Sequence, residues 1–364
     1  MKVAVMEFPA RRLLPAVAAA ALLMLSACTS SGGGGSAASS AQAGGAAASP
    51  TVVNDLQTDY ENTVKAVLPS IVQINAENSL GTGIVYDTKG DIVTNAHVVG
   101  TATSFQVLLS DQSNALAATL VASYPANDLA VIKLTKPPAK LTPAVFGDTS
   151  QVSVGQIVLA MGSPLGLSSS VTQGIVSATG RTVSEAKSEE NPQGTTIPNM
   201  VQTSAAINPG NSGGALVNLS NQVIGVNTLA AVSNSESGAQ APGIGFAIPS
   251  SSVTNLADQM IKYGKVVDSG RAALGVTVRT VLVTNSNGSQ TSGAGVVSVT
   301  SGGPADKGGI QSGDVITKLA DTPIDSSQAL STALATLKPG QQVTVTYLRD
   351  GASRTAKVTL GTLS

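Results

Sequence analysis

Between residues 70 and 228 the apolar residues of this chain come in short runs, each broken by Gly, Asn, Asp or Pro. They lie at 70–74, 83–86, 91–94, 105–109, 118–121, 129–134, 157–161, 171–178, 201–203, 214–217 and 223–228. Runs this short, with turn formers between them, predict strands of a barrel or sandwich and leave little room for helices. The composition agrees: aromatic residues make up 2%, Trp is absent and there are 38 Gly, which suits turns better than a large helical core. Two helices interrupt the pattern. Leu56, Tyr60 and Val64 set a helical stripe over 52–67. Val253, Leu256, Ala257, Met260 and Ile261 set another, with Ser251-Ser252 as its cap and Gly264 behind it.

A length of 364 residues predicts two domains plus appendages. The 20 Lys+Arg against 21 Asp+Glu leave a net charge of −1, which argues against nucleic acid as a partner, since phosphate binding needs a basic surface.

The stretch Asn208-Pro209-Gly210-Asn211-Ser212-Gly213-Gly214 carries the first chemical signal. Three glycines let the backbone turn sharply around one hydroxyl and aim amides into a small space. That arrangement suits a Ser nucleophile with donors for an oxyanion. An ordinary Gly-rich turn and a phosphate cradle are the alternatives, and no Lys follows as a P-loop requires. A base is available in the single His of the chain, within Thr94-Asn95-Ala96-His97-Val98-Val99. A carboxylate stands at the mouth of an apolar strand in Asn127-Asp128-Leu129-Ala130-Val131. Taken alone, a lone His is more often structural, and an Asp there more often begins a strand.

Together, residues 94–99, 128–134, 201–216 and 243–249 closely resemble the HtrA/Deg serine proteases, in order and from about residue 68 to the C-terminus. The resemblance implies a mostly β fold: a chymotrypsin-like double β-barrel of two six-stranded barrels, followed by an α+β PDZ domain. It implies a triad of His97, Asp128 and Ser212. The oxyanion hole maps onto the amides of Gly210 and Ser212, with Asn211 shaping the turn. One departure is Ser204, where the family commonly has Asp, which leaves a local hydrogen bond open. The position that would hold the basic-specificity Asp of trypsin is Ala206. With Thr228, Leu229, Phe246, Ala247 and Ile248 it forms the expected S1 lining, which predicts cleavage after Val, Ala, Leu or Ile, because a small apolar pocket cannot repay desolvation of a charged side chain. No metal or organic cofactor is implied.

From Arg271 onward, Leu274-Gly275-Val276, Gly295-Val296-Val297, Gly302-Gly303-Pro304-Ala305 and Gly313-Asp314-Val315-Ile316 resemble a bacterial PDZ domain. Its helix is expected at 327–337, with Ala329, Leu330, Ala333, Leu334 and Leu337 on one face. The carboxylate-binding turn maps onto Ala273, Leu274, Gly275 and Val276. C-terminal peptides would add there as a strand, beside Leu330. Leu274 and Leu330 read equally well as core residues.

At the N-terminus, Lys2, Arg11 and Arg12 precede an apolar run at 13–25 that is short for a membrane span. The following Leu25-Ser26-Ala27-Cys28 looks like a bacterial lipobox, with Cys28 as the lipidated residue and an ordinary signal peptide as the alternative. The expected organisation is a lipoprotein-type signal (1–28), a Ser/Gly/Ala tether (29–51), a protease domain (52–264), a linker (265–270) and a PDZ domain (271–364). In relatives the helix at 52–67 joins three subunits, which implies a homotrimer; packing on its own barrel is the other reading. The charged stretch 181–200 corresponds to a loop that senses activators in the family, or is a solvated surface loop. The resulting expectation is a membrane-tethered, extracytoplasmic serine endopeptidase acting on unfolded polypeptides. Its rival is a chaperone or PDZ scaffold whose triad rests misaligned.

Overall fold

The computed structural model describes residues 51–363, apart from 77–78, 164–169, 186–194, 209, 233–239 and 285–288. The expected signal, tether and Cys28 therefore lie outside the described residues. The first helix, α1 (Thr51–Val67), buries Thr63 and Val67 and packs Tyr60 and Val64 on the core, while Leu56 stays exposed. Six strands follow: β1 (Ile71–Ala76), β2 (Ser79–Val85), β3 (Asp91–Thr94), β4 (Ser104–Leu109), β5 (Leu116–Tyr124) and β6 (Leu129–Leu134). They close a barrel in the order β1-β2-β3-β6-β5-β4, with the short helix α2 (Ala96–Val99) after β3.

The second set comprises β7 (Val145–Phe146), β8 (Ile157–Gly162), β9 (Ser170–Glu185), β10 (Thr195–Thr203), β11 (Ala215–Asn218), β12 (Gln222–Val232) and β13 (Gln240–Pro249). Their order is β11-β8-β9-β10-β13-β12-β7, and β11 also pairs with β12, which closes a six-stranded ring with β7 attached outside it. Helix α3 (Ser250–Tyr263) ends at Gly264, whose φ of 68° supplies the left-handed cap.

Neighbouring residues on these strands enter different apolar clusters. Val72 and Ile132 pack within the first barrel, whereas Ile71 and Val131 join residues of the second barrel and α3 in one shared core. In the second barrel Leu216 and Ala247 face one cluster, and Val217 and Ile248 the shared one. Strands buried on both faces read as continuous apolar runs, which is why the sequence shows runs and not alternation.

The stretch 181–200 departs from the expected loop. Thr195 pairs with Glu185 and Thr196 with Ser184, and Val183, Ile197 and Met200 turn onto the core. Residues 186–194 lie outside the described residues.

Beyond α3 the chain is tied down by Gln259, which accepts from the amides of Val267 and Asp268 and donates to the Asp268 carbonyl. The last part contains β14 (Ala272–Ala273), β15 (Val276–Thr284), β16 (Gln290–Val299), α4 (Pro304–Lys307), β17 (Val315–Leu319), β18 (Thr322–Pro323), α5 (Ser327–Ala335), β19 (Gln342–Arg349), β20 (Ala352–Thr359) and β21 (Gly361–Thr362). A sheet of order β15-β16-β17-β19-β20 packs over Leu330 and Ala333 of α5, and β14 pairs with β21. Helix α5 stops at Ala335, one turn's fraction short of the expected Leu337. Ser326 caps it by accepting from the Ala329 amide at 3.1 Å.

A half-buried ion pair joins the neighbouring strands β3 and β6 of the first barrel. Asp91 is 1% exposed, and its carboxylate accepts from Lys133 Nζ at 2.8 Å. Burial pushes this carboxyl above its ordinary range, and the Lys133 hydrogen bond only partly reverses that. A folded pKa raised above the unfolded one means stability from this group falls as pH rises through the raised value. Lys133→Met is therefore expected to cost about 2 kcal/mol near neutral pH, less than for a fully buried pair because Lys133 is 43% exposed. The loss should shrink as the solution is acidified towards the Asp91 pKa. Urea unfolding across that range checks it, and a loss independent of pH would contradict the assignment.

Candidate active site

His97 leaves the first barrel on α2, directly after β3. Its backbone amide donates to Asp128 Oδ1 at 3.0 Å, and its ring Nδ1 lies 2.9 Å from Oδ2 and 3.0 Å from Oδ1. An ionised carboxylate only accepts, so Nδ1 carries the proton and the neutral ring keeps Nε2 as its acceptor. The imidazole is 35% exposed, while the Asp128 side chain is 9% exposed.

Asp128 ends a 3-10 turn, Pro125–Asn127, in the left-handed region with φ of 49°. Its amide donates to the Pro125 carbonyl, and its own carbonyl accepts from Asn95 Nδ2 at 3.0 Å. The carboxylate also accepts a hydrogen bond from the Thr228 hydroxyl on β12. His97 and Asp128 thus belong to the first barrel, and the second barrel completes the shell of the acid.

Ser212 sits in a loop that is wired to itself. The Asn211 side chain accepts from the Asn208 amide and donates to the Ala206 carbonyl, both at 3.1 Å. The Asn211 amide is used by the Asn208 carbonyl, so Asn211 shapes the turn, whereas among the described residues neither the Gly210 nor the Ser212 amide has a backbone acceptor. Gly210, with φ of 102°, is in a region that suits glycine alone.

The loop is also fastened to the first barrel. The Thr82 amide donates to the Ser212 carbonyl at 3.0 Å, and the Thr82 hydroxyl donates to the Gly210 carbonyl at 2.6 Å. That same hydroxyl accepts from the Ser163 amide at 2.9 Å. Gly213 fits beside it with φ of 80°; a β-carbon there would lie 2.1 Å from the Thr82 carbonyl oxygen.

The Ser212 hydroxyl donates to the Thr228 carbonyl at 3.3 Å. One residue therefore touches two of the three expected side chains: Thr228 holds Asp128 through its hydroxyl and Ser212 through its carbonyl. Nothing in the local sequence marks Thr82 or Thr228 for these roles, since their partners lie 128 and 100 residues away along the chain.

The expected S1 residues do not all gather. Thr228 turns its side-chain hydroxyl to Asp128. Ala247 and Ile248 are 0% exposed and belong to the core, as residues 247–249 of β13 are buried. Phe246 is half-buried on the shared core, Ala206 is exposed, and the Leu229 side chain lies outside the description. The hydrogen bond left open by Ser204 is made after all: its hydroxyl accepts from the Ile175 amide at 3.0 Å.

In the last domain a groove of about 410 Å³ runs between Ala273–Val278 and the Leu330, Ser331 and Leu334 face of α5. Leu274 lines it by backbone only in part, since its side chain is 1% exposed within the core, and Leu330 is 2% exposed. Gly275, with φ of 73°, turns the chain at the groove's end. Among the described residues no cluster of His, Cys, Asp or Glu has the makings of a metal site.

Comparison with known proteins gives two domain matches: a trypsin-like peptidase domain over residues 81–226 and a PDZ domain over 272–360. The Do-like HtrA serine protease of Lactococcus lactis subsp. cremoris is 40% identical over 296 residues, 78% of this chain and 71% of that protein. Serine protease PepD of Mycobacterium tuberculosis is 40% identical over 318 residues, 83% of this chain and 66% of PepD. The periplasmic serine endoprotease DegP of Escherichia coli is 41% identical over 274 residues, 75% of this chain, and the chain spans only 55% of DegP. Among solved structures, the HtrA-type protease AlgW with a decapeptide matches with a TM-score of 0.56 at 29% identity, covering 84% of this chain and 99% of that one.

Thr82 offers a direct test of the seam. Thr82→Val keeps the side-chain volume but leaves the Gly210 carbonyl and Ser163 amide without their partner. A loss of about 2–3 kcal/mol in urea unfolding is expected for a fully buried hydroxyl with two such bonds. A change under about 0.5 kcal/mol, within the range of an exposed substitution, would mean that the Thr82 hydroxyl adds nothing to the seam.

Proposed function

The chain belongs to the Do-like HtrA/DegP serine proteases, and from that premise we propose that it hydrolyses unfolded polypeptides with Ser212 as nucleophile, His97 as base and Asp128 as orienting acid. The protein is a serine endopeptidase with a trypsin-like domain and a PDZ domain. The observation that carries the residue assignment is the hydrogen-bonded set His97–Asp128–Thr228–Ser212, drawn from both barrels.

In this mechanism the Ser212 hydroxyl leaves the Thr228 carbonyl and attacks the scissile carbonyl carbon while His97 Nε2 takes its proton. Asp128 holds the Nδ1 proton and stabilises the imidazolium. The Gly210 and Ser212 amides receive the oxyanion. Collapse sends the Nε2 proton to the leaving amine, and water then repeats the sequence on the acyl-enzyme. Ala206, small and uncharged below the nucleophile loop, supports preference for Val, Ala, Leu or Ile before the cut.

The Ser212–Thr228 hydrogen bond also favours a second reading, a chaperone or PDZ scaffold whose alcohol rests on a backbone carbonyl. The PDZ groove would bind C-terminal peptides by strand addition to the chain around Ala273–Val276, beside Leu330. Periplasmic relatives support an extracytoplasmic setting. The Cys28 lipid anchor and a homotrimer joined through α1 complete the proposal, and neither nucleic acid nor a cofactor has a part in it.

A fluorophosphonate probe should label Ser212, and Ser212→Ala should abolish labelling and lower casein turnover by about a million-fold. Turnover should fall on acidification as the imidazole protonates and can no longer take the Ser212 proton, and the products should end in small or aliphatic residues. Absent labelling, even with unfolded substrate and C-terminal peptides present, would favour the scaffold; products ending mainly in Lys or Arg would overturn the specificity. For the anchor, Cys28→Ser should move the protein from the membrane to the soluble fraction of expressing cells. An unchanged distribution would rule out lipidation at that residue.

A further inference from the structure

Arg271, the first residue expected in the PDZ domain, reaches back into the protease domain. Its Nη1 donates to the Ala126 carbonyl and to Asn127 Oδ1, the latter at 3.0 Å, and its Nη2 donates to the Thr196 carbonyl at 2.7 Å. Ala126 and Asn127 form the 3-10 turn that ends in Asp128. The guanidinium is thus fixed to the two residues that precede the acid, and it contributes to the wall of the peptide groove as well.

The chemistry of this contact is unusual for a mere staple. Its acceptors are neutral oxygens, and among the described residues no carboxylate pairs with it. Burial disfavours the charged form, yet an arginine stays protonated in proteins. A desolvated cation that is not neutralised must rely on its hydrogen bonds. The two Nη atoms make three, to two backbone carbonyls and to the side chain of Asn127, which is 5% exposed, while the buried Nε has no partner among the described residues.

The surroundings keep the contact from being incidental. Thr196, which accepts from Nη2, is bonded through its hydroxyl to Gln328 Nε2 of α5 and lies 3.1 Å from the Ser184 hydroxyl. Ser184 in turn lies 3.3 Å from the Thr332 hydroxyl of α5. Both sides of the peptide groove, Arg271 and α5, therefore meet the protease domain at one residue of β10. The backbone of Asp128 is held by one hydrogen bond to Pro125 O and one from Asn95, and its carboxylate by His97 and Thr228, whereas Arg271 grips the two residues that lead into it.

We propose that Arg271 is a positioning residue for hydrolysis: from the second domain it holds the Pro125–Asn127 turn, and through it the Asp128 carboxylate that orients His97. This rests on the protease reading above. Arg271 touches neither substrate nor reacting atoms and acts only through Asp128. A planar guanidinium with two separated nitrogens can reach the turn and β10 at once, which an ammonium cannot do from one point.

The test compares the full chain with Arg271→Ala, Arg271→Lys, Asn127→Ala and the Arg271/Asn127 double variant. A short peptide substrate without an affinity for the PDZ groove is used, together with fluorophosphonate labelling. Arg271→Ala should lower kcat by about 10- to 100-fold with KM within about twofold, since an oriented base matters in the transition state and not in ground-state binding. Arg271→Lys should recover part of the loss. The double variant should lose clearly less than the product of the two single losses, because both remove one contact. Equal kcat in wild type and Arg271→Ala, or multiplicative losses in the double variant, would overturn the proposal. Should Arg271→Ala fail to fold, as judged by circular dichroism, Arg271→Lys and Asn127→Ala decide it by the same kcat–KM split. A wild type that neither labels nor cleaves would instead defeat the protease reading and is told apart by that control.

Discussion

An ionised carboxylate as buried as Asp128 must be surrounded by donors, because an unpaired charge in that setting would cost several kcal/mol. His97 provides two, from its amide and its ring, and both belong to the first barrel. The remaining one is the Thr228 hydroxyl, which belongs to the second. Association of the barrels and completion of the acid's shell are therefore a single event. The reverse traffic passes through Thr82, whose hydroxyl and amide leave the first barrel to hold the Asn208–Gly214 loop of the second. Two threonines facing in opposite directions make the site depend on the interface, and the interface in turn depends on the site's polar groups being satisfied.

Apolar packing makes this exchange possible. Ile71, Ile84, Val93 and Leu129 from one barrel meet Leu159, Met161, Val217 and Ile248 from the other in a common core, under Val253, Leu256 and Met260 of α3. Each such side chain contributes about 1.5–3 kcal/mol on burial, so the seam has ample driving force to bring a few polar groups into a dry place. The burial of both strand faces also decided what could be read in the chain. Continuous apolar runs located most strands of both barrels, and turn residues located their ends. Which face a residue takes is not encoded in a run that is apolar throughout. Ala247 and Ile248 are a case in point: nothing in their run tells a pocket wall from a core, and both are 0% exposed.

The polar features divide along similar lines. Those carried by contiguous residues, such as the self-bonded Asn208–Gly214 loop or the Ser326 cap of α5, leave a local signature. Those formed between distant segments leave none: a threonine on a strand looks like a good strand former whether or not its hydroxyl ends on a carboxylate. Ser204 shows how little a site needs in order to tolerate a departure. A single hydroxyl oxygen is enough to accept from the Ile175 amide, so the missing carboxylate there leaves no orphaned donor. The pairing of 181–185 with 195–200 is hard to read from the sequence because polar and charged residues dominate the stretch, yet Val183, Ile197 and Met200 turn onto the core.

The same reasoning extends past the barrels. The linker is pinned to α3 by one glutamine side chain that satisfies two amides and a carbonyl, so the second domain begins from a fixed point. From there Arg271 is delivered to Ala126, Asn127 and Thr196, while Gln328 on α5 reaches Thr196 from the other side. Hydrogen bonds between uncharged groups would add only modest stability to a contact between domains. A guanidinium with three oxygen acceptors is stronger and more directional, and it makes the relative placement of the domains specific instead of merely adhesive. Because the turn it grips leads directly to Asp128, any shift of the second domain that moved Arg271 would have to be absorbed either by that turn or by loss of the contact. Asp128 is thus constrained from three sides, by its own barrel, by Thr228 of the next, and by a side chain from beyond both.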